Sequence, residues 1–245
     1  MSEQDQTPAN PAPAGREPVF LLPGAVSAMI GLMVAIQLAS SLVLNQDGLV
    51  QLVFWFAFQP LRIIAAQSDP SLAIPLIWTP FTHALLHGGW EHLLVNSAWF
   101  AIFATPITRR YGAGPMLAMF FLSGAAGAAL FAATTLYSGS YLIGASGGVA
   151  GLTGAATRFI FQPVIVAQHP ETGERVAVGR RLASFGDLWR DSRARLFILI
   201  WVVLNAAVPL LPLITGTQMS IAWQAHLGGF FAGILLVGLF EKKAG

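Results

Sequence analysis

A serine flanked by glycines stands at the start of an apolar stretch of the chain. Gly144, Ala145, Ser146 and Gly147 open a run of small and apolar residues that extends to Ile160 and has the composition of a membrane span. Glycine neighbours let a substrate approach the serine closely and let backbone N–H groups face it, as a nucleophilic hydroxyl requires. Small residues are also common where transmembrane helices pack, so the motif alone does not separate the two roles.

Two further polar motifs lie at the starts of other apolar stretches. His226 precedes a late stretch, and His87, His92 and Asn96 precede an early one. Histidine can serve as a general base for a serine, and amide or imidazole N–H groups can stabilise the negative charge that develops in acyl transfer. Asn96 lies one turn from His92 on the same helical face, so the two residues form a potential pair of donors.

No aspartate or glutamate is placed to orient His226, as the third member of a Ser-His-Asp triad would do. The sequence therefore predicts a dyad of Ser146 and His226, with the imidazole oriented by packing and backbone hydrogen bonds. A metal site at His83, His87 and His92 is an alternative, because His83 and His87 lie four residues apart. It is disfavoured because the motif His-Glu-x-x-His is absent, the chain has no cysteine, and no acidic residue lies within a span.

Transmembrane helices are the elements that would position these groups. The chain has 245 residues, of which 55% are hydrophobic and 10% charged, whereas soluble domains carry about 25% charged residues. Windows of about 20 apolar residues mark six spans. Their approximate bounds are 20–44, 91–108, 114–137, 145–162, 194–214 and 221–240. The expected fold is an all-α, polytopic membrane protein with a bundle of six transmembrane helices.

The polar and amphipathic segments define the domain organisation. Residues 1–18 are rich in proline, alanine and glutamine, and predict a disordered tail ahead of a membrane domain over 19–243. Residues 45–78 contain aromatic runs too short to span, and predict a partly membrane-embedded loop.

An insert over 162–193 is predicted to follow the fourth span. Val164–Gln168 and residues 175–179 flank a polar turn and predict a β-hairpin. Residues 184–195 predict a short amphipathic helix on the membrane surface, with Leu188 and Trp189 inward and basic groups toward anionic lipid.

The placement of basic residues predicts the orientation of the bundle. Six spans put both termini on one side, and twelve of the thirteen lysines and arginines lie in segments on that side; the exception is Arg62. Basic residues are enriched in cytoplasmic segments, so both termini are expected in the cytoplasm. The tail has neither a signal-peptide nor a transit-peptide pattern, which favours a bacterial cytoplasmic (inner) membrane. Ser146, His226 and Asn96 then all lie about one to two turns below the outer surface.

Glycines in the last span indicate how its histidine reaches the serine. Gly229 and Gly233 lie three and seven residues beyond His226, and glycines four apart allow two transmembrane helices to approach closely. The glycine-rich face of the span that begins at Ser146 is the expected partner. Contact between these two spans would bring His226 to Ser146.

These motifs resemble those of the rhomboid family of intramembrane serine proteases. The resemblance covers about residues 20–240, without the tail and the insert, and the six-span plan agrees with it. The matching residues, in order, are His87-x4-His92-x3-Asn96, then Gly144-Ala145-Ser146-Gly147, then Ala225-His226-Leu227-Gly228-Gly229 with Gly233.

The resemblance implies a role for each of these residues. Ser146 would be the nucleophile and His226 the general base. Asn96, His92 and the backbone N–H of Ser146 would form the oxyanion hole, and His87 would brace the outer loop by hydrogen bonding.

The sequence departs from the family at two places. Many members carry an aromatic residue four positions after the serine that stacks on the catalytic histidine, and this chain has Ala150 there. Either the histidine is held less firmly, or another aromatic residue such as Phe230 or Trp223 substitutes. Many members also have a Trp-Arg pair in the outer loop, whereas the only such pair here, Trp189 with Arg190, is on the inner side. Neither departure removes a proposed catalytic group.

The resemblance implies an endopeptidase that cleaves transmembrane segments of single-pass or multi-pass membrane proteins near the outer face of the bilayer. It implies no cofactor and no nucleic-acid partner. The alternative is a catalytically inactive rhomboid-like protein that binds transmembrane helices, which the retained Ser146, His226, Asn96 and His92 disfavour. A small transporter is less favoured, because the inner halves of the spans contain almost no ionisable residues to line a water path.

Overall fold

The computed structural model describes residues 22–169, 173–210 and 221–241, and the predicted tail over 1–18 lies outside them. The described chain is mainly helical. In chain order its helices are α1 (Gly24–Leu42), α2 (Gln46–Phe56), α3 (Leu61–Ala65), α4 (Thr79–Thr82), α5 (Trp90–Tyr111), α6 (Ala113–Thr135), α7 (Ser146–Ile160), α8 (Phe185–Arg190), α9 (Ser192–Ala207) and α10 (Trp223–Leu236). Short 3-10 turns cover Pro70–Ile77, His83–Leu85, Val208–Leu210 and Val237–Leu239.

The six longest helices follow the six predicted spans in order; they are α1, α5, α6, α7, α9 and α10. This architecture confirms the predicted all-α membrane bundle. Among the described residues, three segments are long and apolar enough to cross a membrane by themselves: Gly24–Leu42, Ala113–Thr135 and Ser192–Leu210. Trp223–Leu239 is a shorter apolar helix, and α7 has only 15 residues.

Helix α7 forms the centre of the bundle. Every residue from Gly147 to Phe159 is buried, because the small side chains of this helix allow α5, α6 and α10 to pack around it. Arg158 at its end donates hydrogen bonds to the carbonyl oxygens of Ala183 and Ile234, so its buried guanidinium is paired with backbone acceptors. The serine end of α7 and the arginine end are thereby fixed at opposite ends of the bundle.

The segment between α1 and α5 is folded. The Arg62 guanidinium lies over the Phe54 ring, 4.3 Å from its centroid, and donates a hydrogen bond to the Phe54 carbonyl. Trp78 donates from Nε1 to the carbonyl of Trp55 at 2.7 Å, and the two indole rings stack. These contacts hold α2 to α4 against each other and fix the loop that leads into α5.

The predicted hairpin is confirmed. Strands β1 (Val164–Gln168) and β2 (Arg175–Arg180) pair in antiparallel register, with an irregularity between Ile165 and Val166. All five residues of β1 are exposed.

The predicted continuous surface helix over 184–195 is wrong. Helix α8 ends at Arg190, and Asp191 adopts an extended conformation and accepts hydrogen bonds from the backbone N–H groups of Arg193 and Ala194. Asp191 is therefore the N-cap of α9, so the chain turns there from the short surface helix into the bundle. Leu188 is buried against the protein, whereas Trp189 is 74% exposed on its surface.

Candidate active site

Ser146 is the first residue of α7. Ala145 is the N-cap, and no side chain caps this helix end. The first N–H groups of an α-helix have no acceptor within the helix, so the backbone donors at Ser146 and the following glycines are available to a ligand. Ser146 is half-buried, which leaves its hydroxyl accessible.

Backbone contact between α7 and α10 brings the histidine to this helix end. A Cβ atom added to Gly229 would lie 2.0 Å from the carbonyl oxygen of Gly147, and one added to Gly233 would lie 1.8 Å from that of Gly151. Only glycine fits such an approach, so the predicted contact of the two glycine-rich faces is confirmed. Ser146 and His226 lie beside these contacts on facing first turns. Within the described residues, no hydrogen bond joins their side chains.

Asn205 of α9 orients His226, which the sequence analysis missed. The Asn205 side-chain nitrogen donates to the carbonyl oxygen of Trp201 at 2.8 Å, so its oxygen Oδ1 is the atom that faces His226. Oδ1 lies 2.8 Å from Nδ1 of His226. Because an amide oxygen only accepts, Nδ1 of His226 must carry the proton, and Nε2 is left as the basic atom. A general base needs this tautomer.

The prediction that packing and backbone hydrogen bonds alone orient His226 is therefore wrong. The acceptor at Nδ1 is a neutral amide oxygen rather than a carboxylate. Asn205 was detectable, because a polar residue within an apolar span is unusual and tends to be functional.

His92 and Asn96 both lie close to Gly144, two residues before Ser146. A Cβ atom at Gly144 would lie 2.8 Å from Nε2 of His92 and 3.6 Å from Nδ2 of Asn96. Gly144 adopts φ +116°, a conformation that side chains rarely permit, so glycine is needed here for both reasons. His92 Nδ1 accepts from the Gly88 backbone N–H at 3.4 Å, which leaves Nε2 as the donor. Asn96 Nδ2 is buried without a hydrogen-bond partner among the described residues.

His83 and His87 support the site from the outer loop. The carbonyl oxygen of His83 accepts a hydrogen bond from the Gly144 N–H at 2.9 Å, which holds the segment before Ser146. Burial lowers the pKa of His83 to about 4, and a hydrogen bond with the Thr79 carbonyl opposes that shift. The His87 ring packs edge-on against His92 with centroids 5.2 Å apart. Its ring nitrogens are buried without partners in the described chain, so the predicted hydrogen-bond brace is not observed.

His83, His87 and His92, the residues of the alternative metal site, have other contacts in the structure. In the part of the chain that the structure describes, no group of three histidine, cysteine or acidic residues has the arrangement of a metal site. His83 is instead fixed on the Thr79 carbonyl, and His92 faces Gly144.

Ala150 belongs to the same buried cluster as an aromatic pair that does not include His226. Phe230 stacks on Trp201 of α9, with centroids 4.1 Å apart and an interplanar angle of 12°, and Ala150 is buried in the same cluster. No aromatic ring of the described residues stacks on His226. Of the two alternatives, replacement of the missing aromatic by Phe230 or Trp223 is therefore not met, and the imidazole has a hydrogen bond to Asn205 instead of a stacked ring.

Comparison with known proteins agrees with this arrangement. A family model described as Rhomboid domain matches residues 76–243, a segment that contains the early histidine and asparagine motif, the serine motif and the late histidine motif. No curated protein matches the chain. Because the family model covers more than half of the sequence, the chain belongs to the rhomboid family, whose members are typically intramembrane serine proteases.

Proposed function

We propose that this multi-pass membrane protein is an endopeptidase that cleaves transmembrane segments with a dyad of Ser146 and His226. The observation that carries the proposal is the hydrogen bond from His226 Nδ1 to Asn205, which leaves Nε2 basic beside the helix end that bears Ser146. A protein that only bound helices would not need the imidazole held in this tautomer.

The reaction is an acyl transfer in two stages. His226 Nε2 removes the proton from the Ser146 hydroxyl as Oγ attacks the scissile carbonyl carbon. The carbonyl oxygen becomes an oxyanion, and His226 then gives the proton to the leaving amine as the carbon–nitrogen bond breaks. Water, deprotonated by His226, attacks the acyl-enzyme, and the ester bond to Ser146 breaks to release the acid product.

Three donors are available for the oxyanion: the Ser146 backbone N–H, Nε2 of His92 and Nδ2 of Asn96. The unpartnered state of Asn96 Nδ2 supports this role, because a buried donor costs free energy unless a partner arrives during the reaction.

Helix α7 also accounts for water access. Its 15 residues are about 22 Å long, shorter than the hydrocarbon core of about 30 Å, which supports a position of Ser146 below one membrane surface rather than at it. We place that surface outside, with both termini in the cytoplasm of a bacterial cell and the membrane domain over 19–243. Substrates would unwind near this face, so small or helix-breaking residues should favour cleavage.

The test is cleavage of a fluorescent transmembrane substrate by purified full-length protein in lipid vesicles. Ser146→Ala and His226→Ala should each abolish cleavage, and Ser146→Ala should also abolish labelling by a fluorophosphonate. Ser140→Ala, in the loop before α7, is the matched control and should retain both. Unlabelled and inactive wild type that is demonstrably folded would instead favour the inactive helix-binding protein. Cleavage that survives in Ser146→Ala would refute the assignment of the nucleophile.

A further inference from the structure

An open cavity of about 1090 Å³ lies at the end of the bundle opposite Ser146. Its walls are the C-terminal end of α5, the hairpin and the residues that follow α10. None of these residues takes part in the proposed peptidase chemistry. The cavity therefore needs an explanation of its own.

The lining is basic. Arg109, Arg110 and Arg180 line the cavity, with Glu241 as the one acidic residue among its described walls. Arg110 donates hydrogen bonds to Glu241 and to the carbonyl oxygen of Arg180, and Arg180 donates to the carbonyl oxygen of Ile160 at 2.7 Å. These bonds fasten the hairpin to α5 and α7, and so fix arginines in place around the cavity.

The remaining wall is apolar and exposed. Val164, Ile165 and Val178 of the hairpin are 45%, 48% and 59% exposed, and all three line the cavity. A two-stranded hairpin is marginally stable in water on its own. Exposed apolar strand residues beside fixed arginines, at the end of a membrane bundle, match a ligand with both an anionic head and hydrocarbon chains.

We propose that this cavity binds an anionic phospholipid. The arginines contact its phosphate, and the apolar hairpin residues with Phe159 and Phe240 pack on its acyl chains. The insert thereby has a role as one wall of a lipid site. This site is independent of the peptidase reaction.

The hairpin offers a matched pair of variants for the test. Val178→Glu places a carboxylate in the lining, whereas Val166→Glu places one at a similarly exposed position of the same hairpin outside it. Arg109→Gln removes a lining charge, and Arg175→Gln removes one from the strand end outside the cavity. Thermal unfolding of each purified protein shows that it is folded.

Lipid binding to full-length protein in detergent is measured by native mass spectrometry. The probes are phosphatidylglycerol, phosphatidylcholine with the same acyl chains, and inorganic phosphate as a competitor. Wild type should prefer phosphatidylglycerol, and Val178→Glu and Arg109→Gln should each weaken its binding about fivefold, the effect of about one charge near a membrane surface. The two control variants should bind as wild type does.

Equal binding of the two lipids would overturn the proposal, as would equal losses in the lining and control variants. Displacement of phosphatidylglycerol by an equal concentration of inorganic phosphate would show a site for soluble phosphate instead of lipid. If Val178→Glu does not fold, the comparison of Arg109→Gln with Arg175→Gln decides. None of these readouts depends on cleavage, so the outcome is separate from that of the peptidase test.

Discussion

At the scale of single residues, Asn205 places a neutral amide where a serine protease triad has a carboxylate. A carboxylate within a span would lose its hydration, and this cost remains even when the group is paired. General estimates put the insertion of such a charge into the membrane at about 3 kcal/mol. The amide accepts the same Nδ1 proton at 2.8 Å without carrying a charge. It fixes the tautomer and the ring direction, and it stabilises the imidazolium less than a carboxylate would.

Replacing Asn205 by leucine should lower the rate while leaving the fold intact. Leucine has a similar volume but no acceptor, so Nδ1 loses its partner and the ring can adopt the wrong tautomer. We expect kcat to fall about 10- to 100-fold, which is part of the rate enhancement that a general base contributes, with little change in KM. Fluorophosphonate labelling of Ser146 should slow in parallel.

Two variants of α9 complete that experiment. Leu204→Ala, at the exposed neighbouring position, should behave as wild type. Asn205→Asp keeps an acceptor oxygen and should recover part of the labelling rate that Asn205→Leu loses. Wild-type kinetics in Asn205→Leu would show that the hydrogen bond does not position His226.

Asn96 should show a loss of rate without a loss of stability. Its Nδ2 is buried and unpartnered, so alanine removes an oxyanion donor and also a group whose burial is costly. We expect kcat of Asn96→Ala to fall about 10²- to 10³-fold, as for other oxyanion donors. The melting temperature in detergent should be unchanged or higher.

Ser97→Ala is the control for this effect, because the Ser97 hydroxyl is likewise buried without a partner in the described chain but is not among the atoms nearest to Gly144. It should match the stability of Asn96→Ala and retain wild-type cleavage. An unaltered rate in Asn96→Ala would remove this side chain from the oxyanion hole.

At the scale of elements, the contact of α7 with α10 sets the distance between Ser146 and His226. The site has no freedom to adjust, because the backbones touch at Gly229 and Gly233. In Gly233→Ala the new methyl group would lie 1.8 Å from the Gly151 carbonyl oxygen, so the helices must separate. We expect a loss of about 1–3 kcal/mol in unfolding free energy and a larger proportional loss of cleavage.

The matched control for this change is Gly31→Ala in α1, where nothing lies within 4 Å of the added atom. It should stabilise the protein by about 0.5–1 kcal/mol, since alanine is the better helix former. Thermal unfolding and cleavage measured on the same preparations separate the two cases. A neutral Gly233→Ala would contradict the close approach of the helices.

The elements also show what the sequence could reveal. Windows of apolar residues predicted the six bundle helices, and the spacing of glycines predicted the contact of α7 with α10. Both features depend on local patterns in the sequence. The break at Asp191 was missed because apolar and basic residues continue across it, while the turn depends on one capping carboxylate. Asn205 was missed because its role depends on how α9 is rotated about its axis, and an almost wholly apolar helix gives no periodic signal of rotation.

At the scale of the whole molecule, α9 has the fewest buried residues of the six bundle helices. Ala194 is its one buried residue, in contrast to α7, which is buried almost throughout. Its contacts with α10 include the stacking of Trp201 on Phe230 and the bond of Asn205 to His226. If the proposed function holds, a substrate that entered by displacing α9 would disturb the orientation of His226, and entry and catalysis would be coupled through this helix.

The orientation of the bundle is the last prediction, and the absence of cysteine makes it directly testable. Twelve of the thirteen basic residues lie in segments on the side of the termini, which predicts that the loop before α7 faces outward and the hairpin inward. Tyr137 in that loop is 82% exposed, and Arg175, the first residue of β2, is also exposed. A membrane-impermeant maleimide should therefore label Tyr137→Cys in intact bacterial cells and Arg175→Cys only after the cells are lysed. The reverse pattern would place Ser146 near the cytoplasmic face and would require substrates to be cleaved there.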